Sequence, residues 1–189
     1  MDHMSTLLFI RHAETDMAGT FCGHSNPPVN ARGHQQIHML LKALNTGPID
    51  AVYTSDLQRA ITTADALAKA FACPSATTSA LREINFGEWE GLTWPEIETK
   101  DAVYAREWSE AYPDLHAPGG ESFDAFQARV LDEVHHLLTF NDDGCFAVVT
   151  HAGVMRVVLR ALCGLDEKEA WERTKLYCGF FKYTDGMSR

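Results

Sequence analysis

The sequence predicts an α/β fold, a three-layer α/β/α sandwich in which helices flank both faces of a mostly parallel central sheet. Apolar runs typical of buried strands alternate along the chain with segments of helical periodicity, an order typical of parallel sheets covered by helices. The chain has 189 residues, of which 46% are hydrophobic and 22% charged, enough for one sizeable core. We therefore expect a single domain over residues 1–189, with residues 1–4 either disordered or added during cloning.

Four segments are predicted as strands because each is largely apolar, as in strands that helices cover on both faces. They are LLFIRH at 7–12, DAVYTS at 50–55, CFAVVTH at 145–151 and CGFFKYT at 178–184.

Helices are predicted where apolar residues recur three or four positions apart. These segments are 30–47, 56–71, 122–138 and 153–164.

Local signals indicate where two of the helices begin or end. Gly47 is placed to end the first helix, because glycine favours the turn that follows a helix. The tetrapeptide TWPE indicates a further helix: Thr93 and Glu96 have the spacing of a capping box, and Pro95 suits a first turn.

Charge and cysteine content limit the partners and the location. A net charge of -10 argues against nucleic acid or an anionic membrane as the partner, because both need a basic surface. The five cysteines are odd in number, widely spaced and without a C-x-x-C pair, as expected of reduced thiols in a cytoplasmic protein. No signal peptide or long apolar run is found, so we expect no export or membrane insertion.

Basic residues follow two of the predicted strands at matching places. Arg11 and His12 end one strand and His151 ends another, and ligands bind at this carboxyl edge of open α/β sheets. A third strand leads into a helix that Ser55 or Asp56 would cap and that carries Arg59 in its first turn. Together with the backbone N–H groups at the helix start after His151, these side chains predict a pocket for an anion.

Four sequence motifs together resemble those of a known protein family. RHAET (11–15), YTSDLQRAITTA (53–64), LREINFGEWEG (81–91) and VVTHAGVMR (148–156) resemble, in order and spacing, the motifs of the histidine phosphatase (phosphoglycerate mutase-like) superfamily. The resemblance covers residues 7 to about 156 and implies the three-layer sandwich, together with chemistry through a phosphohistidine that needs no metal and no cofactor.

The resemblance also implies roles for individual residues. His12 would be the nucleophile, and Arg11, Arg59 and His151 would hold the phosphoryl oxygens. Glu83 matches the position of the general acid and base. From the residues alone Glu88 and Glu90 remain equal candidates for that role. Substrate-binding residues beside the catalytic set would include Cys22, Gly23 and Ala152.

Three positions depart from the family pattern. Ala13 stands where glycine is usual, Ala18 where an asparagine is common, and Cys22 where serine or threonine is frequent. A methyl group close to the ligand and a weaker hydrogen-bond donor are the expected consequences.

Two features bear on the branch of the family. Mutases carry a longer insert with paired arginines, whereas the segment between Gly91 and Gly120 is short and holds only Arg106, which favours a phosphatase. Segments 19–36, 84–91 and 118–130 are similar to α-ribazole phosphatases of cobalamin biosynthesis, so the substrate would be a small phosphometabolite, with α-ribazole 5′-phosphate as a candidate. A phosphoglycerate mutase and a non-catalytic phosphoester-binding protein are the alternatives, and the oligomeric state, including a homodimer, is open.

Rival phosphatase chemistries have weaker support. No cysteine has an arginine six residues later, as a cysteine-dependent phosphatase requires. His135 and His136 are adjacent, so on a helix they point to different sides and do not suggest a metal site.

Two features of the segment at residues 89–122 each have two interpretations. Its aromatic residues either pack in a core or form a wall over the pocket; they are Trp89, Trp94, Tyr104, Trp108 and Tyr112. Glu121 and Ser122 either contact the site or form a turn and a helix cap.

Overall fold

The computed structural model describes residues 5–45, 47–141 and 143–184. The prediction for residues 1–4 therefore falls outside the described residues. The sheet has five strands, β1 (Ser5–Arg11), β2 (Ala51–Ser55), β3 (Ser75–Thr78), β4 (Gly144–Thr150) and β5 (Phe180–Thr184). Their order is β3-β2-β4-β1-β5. All neighbouring pairs are parallel except β1 and β5, so the predicted mostly parallel sheet is confirmed.

Seven helices connect the strands in the described part of the chain. They are α1 (Ala31–Ala43), α2 (Gln58–Phe71), α3 (Trp94–Lys100), α4 (Ala102–Ala111), α5 (Phe123–Phe140), α6 (Ala152–Ala161) and α7 (Glu167–Thr174).

Three elements had no sequence signal that we recognised: β3, α4 and α7. The strand β3 has the sequence SATT and is mostly exposed, so it shows none of the apolar alternation by which a strand is identified. In α7 the buried residues are Ala170 and Thr174, too few to produce a periodic apolar pattern.

The core is divided by the sheet into two layers of apolar side chains. Leu8 and Ile10 of β1 pack with α1 and α2 on one face, while Leu7 and Phe9 pack with α5 and α6 on the other. Alternate residues of a strand point to opposite faces, which explains why β1 is apolar throughout. The predicted three-layer sandwich is confirmed.

The ends of two helices differ from the predictions. The helix α1 ends at Ala43 with Leu44 as its C-cap, well before Gly47. The N-cap of α2 is Leu57, which has no side-chain cap bond. A loop side chain replaces the missing cap, because Asn26 Oδ1 accepts the Gln58 N–H at 2.7 Å.

The two residues proposed as caps of α2 have other partners. Asp56 forms a two-pronged ion pair with Arg82, at 2.6 Å for each contact, and Ser55 lies against His151. The capping box of α3 is confirmed, because Thr93 and Glu96 exchange the expected hydrogen bonds.

A small aromatic cluster lies apart from the two main layers. Trp89, Ile97, Ala105 and Ala117 are its buried members. Among the described residues, no helix is long and apolar enough to cross a membrane.

Candidate active site

The site forms where β1 and β4 end side by side. Arg11 and Thr150 are paired across the two parallel strands, so the next residues, His12 and His151, are neighbours. The His12 N–H donates to the Thr150 carbonyl at 2.9 Å, and the two imidazole rings have centroids 4.9 Å apart. The predicted meeting of the two strand-end histidines at one edge is thus observed.

His12 is held as a neutral imidazole with a defined tautomer. Its Nδ1 lies 2.7 Å from the Ala13 carbonyl, which can only accept, so Nδ1 carries the proton. Nε2 therefore has a lone pair, and it accepts from Nε of Arg59 at 3.3 Å. Burial, Arg59 and Arg11 hold the pKa of His12 well below its ordinary value, because each of them disfavours a second positive charge.

Arg59 is fully buried at the start of α2 and is fixed by a loop. Its guanidinium donates to the carbonyls of Ser25 at 2.6 Å, Gly23 at 2.7 Å and Cys22 at 3.3 Å. Burial lowers its pKa, but an arginine remains charged in proteins. The loop therefore orients a buried cation directly beside His12.

Glu90 in turn holds that loop. Its carboxylate accepts from the backbone N–H groups of Gly23, His24 and Ser25 and from the Ser25 hydroxyl, at 2.6 to 3.1 Å. Burial acts to raise the pKa of Glu90, but these hydrogen bonds outweigh it and lower the pKa overall. Glu90 is therefore a structural carboxylate.

The three acidic candidates near the third motif have different surroundings. Glu88 is exposed and faces Lys100 at 3.7 Å. Glu83 lies in the wall of the cleft, where it accepts from the Gly153 N–H at 2.9 Å and the Ile84 N–H at 3.0 Å. Of the three, Glu83 alone lines the cleft among the described residues. It also occupies part of the helix start after His151 that was expected to face an anion.

A second ion pair supports the segment that carries Glu83. Arg129 pairs with both oxygens of Glu121, at 2.7 and 2.9 Å, and donates to the Glu83 carbonyl at 3.0 Å. Ser122 is the N-cap of α5. Glu121 thus holds Arg129 and also lines the cleft, and Ser122 is a helix cap.

Arg11 lies against the end of the last helix and keeps its Nε free. Its Nη1 donates to the carbonyls of Thr174 at 3.1 Å and Lys175 at 2.6 Å, and the guanidinium lies 3.9 Å from the ring centre of Tyr177. Its Nε is buried and has no hydrogen-bond partner. Burial lowers the pKa of Arg11, although Tyr177 and Glu83 raise it.

His151 is fully buried behind His12. Its Nε2 lies 2.9 Å from Oγ of Ser55, while Nδ1 is buried without a partner. Burial, Arg59, His12 and Arg11 hold its pKa well below the ordinary value, so the ring is neutral. An unpaired buried N–H on Arg11 and an unpaired buried ring nitrogen of His151, close to Arg59, are an arrangement suited to an anion.

The residues meet at the floor of a cleft of about 760 Å³. Five of the predicted site residues line it: Arg11, His12, Cys22, Glu83 and Ala152. Arg59 and His151 are buried behind His12.

Gly23 does not belong to the cleft lining. Its N–H is bound by Glu90, and a side chain there would collide with the Ile84 carbonyl. Its role in the structure is close packing and the carbonyl that Arg59 binds.

Both interpretations of the aromatic residues hold, and Trp108 satisfies both, because it packs against the aromatic cluster and also lines the cleft. Trp89, Trp94 and Tyr104 pack in the aromatic cluster and do not line the cleft. Trp108 and Tyr112 do line it, and the pocket is completed on this side by Phe21.

Sequence reasoning missed the opposite wall of the cleft. Arg156, Trp171 and Tyr177 line it, and the Arg156 guanidinium stacks over Trp171 at 4.4 Å. Arg156 could have been noticed because it lies in the fourth motif, five residues after His151. Trp171 lies on α7, a helix that the apolar pattern of the sequence did not predict.

The departures from the family pattern have structural counterparts. Ala13 is fully buried in the layer beneath α1 and α2, and its N–H donates to Oγ1 of Thr63 at 3.1 Å, so its methyl group has a place. Ala18 lines the cleft without a polar group. The Cys22 thiol lies 4.0 Å from Sδ of Met17, and burial raises its pKa, so it is a thiol and not a thiolate at neutral pH.

Metal-ligating side chains are not grouped in the described ranges. No cluster of three or more His, Cys, Asp or Glu residues has an arrangement that could hold an ion. All five cysteines are free.

Known proteins match both the sequence and the fold. Residues 7–183 match the model of the histidine phosphatase superfamily (branch 1). The chain is 31% identical to the adenosylcobalamin/alpha-ribazole phosphatase of Escherichia coli (strain K12), over 87% of this chain and 82% of that protein. It is 32% identical to the metal-independent phosphoserine phosphatase of Arabidopsis thaliana, over 82% of this chain and 67% of that protein.

Solved structures have the same fold. The alpha-ribazole phosphatase from Shigella flexneri superposes with a TM-score of 0.84 at 27% identity, over 94% of this chain and 89% of that chain. The chain therefore belongs to the histidine phosphatase superfamily, branch 1, and is an enzyme of the phosphatase class.

Proposed function

We propose that the protein is a metal-independent phosphomonoesterase that forms a phosphohistidine on His12. The observation that carries the proposal is the state of His12: a neutral ring whose Nδ1 proton is bound by Ala13 and whose Nε2 lone pair lies beside Arg59. A neutral imidazole with an oriented lone pair is a competent nucleophile, and arginines suit the charge that develops on a transferring phosphoryl group.

In the first step, Nε2 of His12 attacks phosphorus and the bond to the ester oxygen breaks. Arg11, Arg59 and His151 hold the three phosphoryl oxygens, so the positive charge that forms on the imidazole lies next to a group of negative charge. Glu83, entering as the carboxylic acid, gives its proton to the leaving alkoxide. The alcohol then leaves through the open side of the cleft.

In the second step, water takes the place of the alcohol. Glu83, now a carboxylate, accepts a proton from that water while the oxygen attacks phosphorus and the nitrogen–phosphorus bond breaks. Inorganic phosphate is released with His12 again neutral and Glu83 again protonated. Every group needed is a side chain of the protein, with no metal ion in the scheme.

For the substrate we infer a small phosphometabolite with a sizeable apolar or aromatic leaving group, with α-ribazole 5′-phosphate as the first candidate. Support comes from the size of the cleft and from its wall of Phe21, Trp108 and Tyr112, since aromatic side chains stack well on flat rings. The names of relatives such as the Escherichia coli phosphatase point the same way. Ala152 and Cys22 lie close enough to contribute to substrate binding.

The nucleophile is tested with p-nitrophenyl phosphate. We expect His12→Ala to lose essentially all turnover, because no other group can accept the phosphoryl group. His38→Ala, which changes an exposed histidine on α1, should retain full activity. Acid-labile, alkali-stable label on the wild-type protein after a rapid quench with radioactive substrate would identify the phosphohistidine; equal turnover of His12→Ala and wild type would refute the assignment.

The same assay decides between the alternatives. Complete loss of activity in EDTA would indicate a metal enzyme, and binding of phosphoesters without turnover would indicate a non-catalytic protein. A mutase would convert 3-phosphoglycerate to 2-phosphoglycerate faster than it releases phosphate. A panel that adds α-ribazole 5′-phosphate and phosphoserine identifies the substrate by its kcat/KM.

A further inference from the structure

Ser55 has a partner that the proposed reaction does not explain. It is the last residue of β2, and β2 lies next to β4 in the sheet, so its hydroxyl meets the ring of His151. Oγ of Ser55 lies 2.9 Å from Nε2 of His151 and also accepts the Leu57 N–H at 3.3 Å. Both Ser55 and His151 are 0% exposed, so water does not alter this arrangement.

Two arrangements of protons are compatible with these distances. In the first, the Ser55 hydroxyl donates to Nε2 of His151, and the ring proton is on Nδ1. In the second, Nε2 carries the proton and donates to Oγ, so that the ring has a lone pair on Nδ1. A doubly protonated ring is disfavoured because the site is buried and lies beside two arginines.

The hydrogen-bonding capacity of a hydroxyl distinguishes the two. A serine has one proton to donate and two lone pairs. In the first arrangement the proton is bound by Nε2 and one lone pair by Leu57. In the second, Oγ accepts from both Leu57 and His151, and the hydroxyl proton has no acceptor among the described residues. The first arrangement therefore leaves one buried polar group without a partner, the Nδ1–H of His151, whereas the second leaves two, the hydroxyl proton of Ser55 and the Nδ1 lone pair. Because each buried group without a partner is destabilising, the first arrangement is favoured.

We propose that Ser55 is a positioning residue that donates to Nε2 of His151 and so places the single ring proton on Nδ1. Nδ1 is the ring nitrogen that lacks a protein partner, and its ring lies beside His12. His151 therefore offers a neutral N–H donor to a phosphoryl oxygen instead of a lone pair that would repel it. This consequence for catalysis rests on the proposed function, whereas the tautomer itself does not.

The tautomer can be measured without any change to the protein. In protein labelled with ¹⁵N-histidine, long-range proton–nitrogen spectra separate protonated from unprotonated ring nitrogens, and the His151 signals are those lost in His151→Gln. We expect a protonated Nδ1 and an unprotonated Nε2 at neutral pH in the wild type. A protonated Nε2 there would overturn the proposal, whether or not the protein hydrolyses any phosphoester.

Variants then test the origin of the tautomer. Ser55→Ala should allow the Nε2-protonated form to appear and should lower kcat/KM for p-nitrophenyl phosphate by about tenfold or more. Ser55→Thr keeps a hydroxyl and should recover both the tautomer and most of the activity. An unchanged tautomer in Ser55→Ala, with activity lost equally in both variants, would mean that Ser55 only fills space.

A double-mutant cycle checks that Ser55 acts through His151. In the His151→Gln background, Ser55→Ala should cause little further loss of kcat/KM, since the ring that Ser55 orients is gone. A full additional loss in that background would contradict the proposal. The phosphohistidine assay on His12 is independent of this cycle, so failure of the proposed function and failure of this inference give different results.

Discussion

His12 and His151 are two buried, neutral rings at the centre of a cationic pocket in a protein of net charge -10. Each residue is placed by the end of a strand, and each is kept uncharged by burial and by Arg59. The motifs were sufficient to find both histidines and both arginines, because their positions follow directly from the strands and from the start of α2. The motifs could not show that Arg59 binds loop carbonyls, since that depends on how residues 22–25 fold.

The buried histidines predict how stability changes with pH. Their pKa values are depressed in the folded state, so the unfolded chain binds more protons once the pH falls below about 6.5. The free energy of unfolding should then decrease as the pH falls, by up to about 1.4 kcal/mol per pH unit for each ring, until the folded-state pKa is reached. Urea unfolding at a series of pH values from about 7.5 to 5.5 measures this slope.

Matched variants show which histidines cause the pH dependence of the free energy of unfolding. His12→Asn combined with His151→Asn should flatten it, whatever the absolute stability of the variant, and His38→Asn should leave it close to wild type because His38 is exposed. If the slope of the double variant equalled that of wild type, the two rings would not be the neutral groups described here.

At the scale of elements, the position of Arg59 on α2 depends on a series of hydrogen bonds that begins at Glu90 and passes through the loop at residues 23–25. The Glu90 carboxylate binds the loop at residues 23–25, the loop carbonyls bind Arg59, and Arg59 binds His12. A capping motif or an apolar period can be recognised in sequence because it involves neighbours along the chain. Glu90 and Ser25 are 65 positions apart, so only the fold reveals their contact.

This series of hydrogen bonds predicts the effect of changing Glu90. Glu90→Gln replaces one accepting oxygen by an NH₂ group that faces backbone donors, which should destabilise the protein by about 2 kcal/mol. The loosened loop should misplace Arg59 and lower kcat/KM by about tenfold or more. Urea unfolding and p-nitrophenyl phosphate kinetics measure the two effects.

Glu88→Gln is the matched control, because Glu88 is exposed and lies 3.7 Å from a partner that is itself exposed. We expect a change within about 0.5 kcal/mol and unchanged kinetics. Similar losses for both variants would show that the loop is not held by Glu90.

At the scale of the whole molecule, the sheet separates two apolar layers that share no side chains. Leu67 on α2 is fully buried in one layer, and Leu137 on α5 is buried in the other. The cleft lies at the carboxyl edge of the sheet, so its buried floor comes from the strand ends. Its walls come from the segment that carries Trp108 and Tyr112 and from residues of α5, α6 and α7.

The separation of the layers predicts additive mutations. Leu67→Ala and Leu137→Ala should each cost about 2–5 kcal/mol, as truncations of buried leucines do. The double variant should lose the sum of the two to within about 0.5 kcal/mol, because the two leucines belong to different clusters of buried side chains. Denaturant unfolding of the four proteins measures the coupling, and a coupling above about 1 kcal/mol would contradict two independent layers.

The sequence alone was sufficient for the fold class, four strands, most of the main helices and the residues at the strand ends, since alternating apolar patterns and local motifs act over a few neighbouring positions. The tertiary structure decided the rest. Contacts between distant segments gave Glu83 and Glu90 different surroundings and placed the Ser55 hydroxyl against His151 as well as against the start of α2. They also placed some aromatic residues in a core cluster and others in the cleft wall, with Trp108 in both. β3 and α7 have too few buried apolar residues to leave a pattern, so their places are determined by packing against the rest of the molecule.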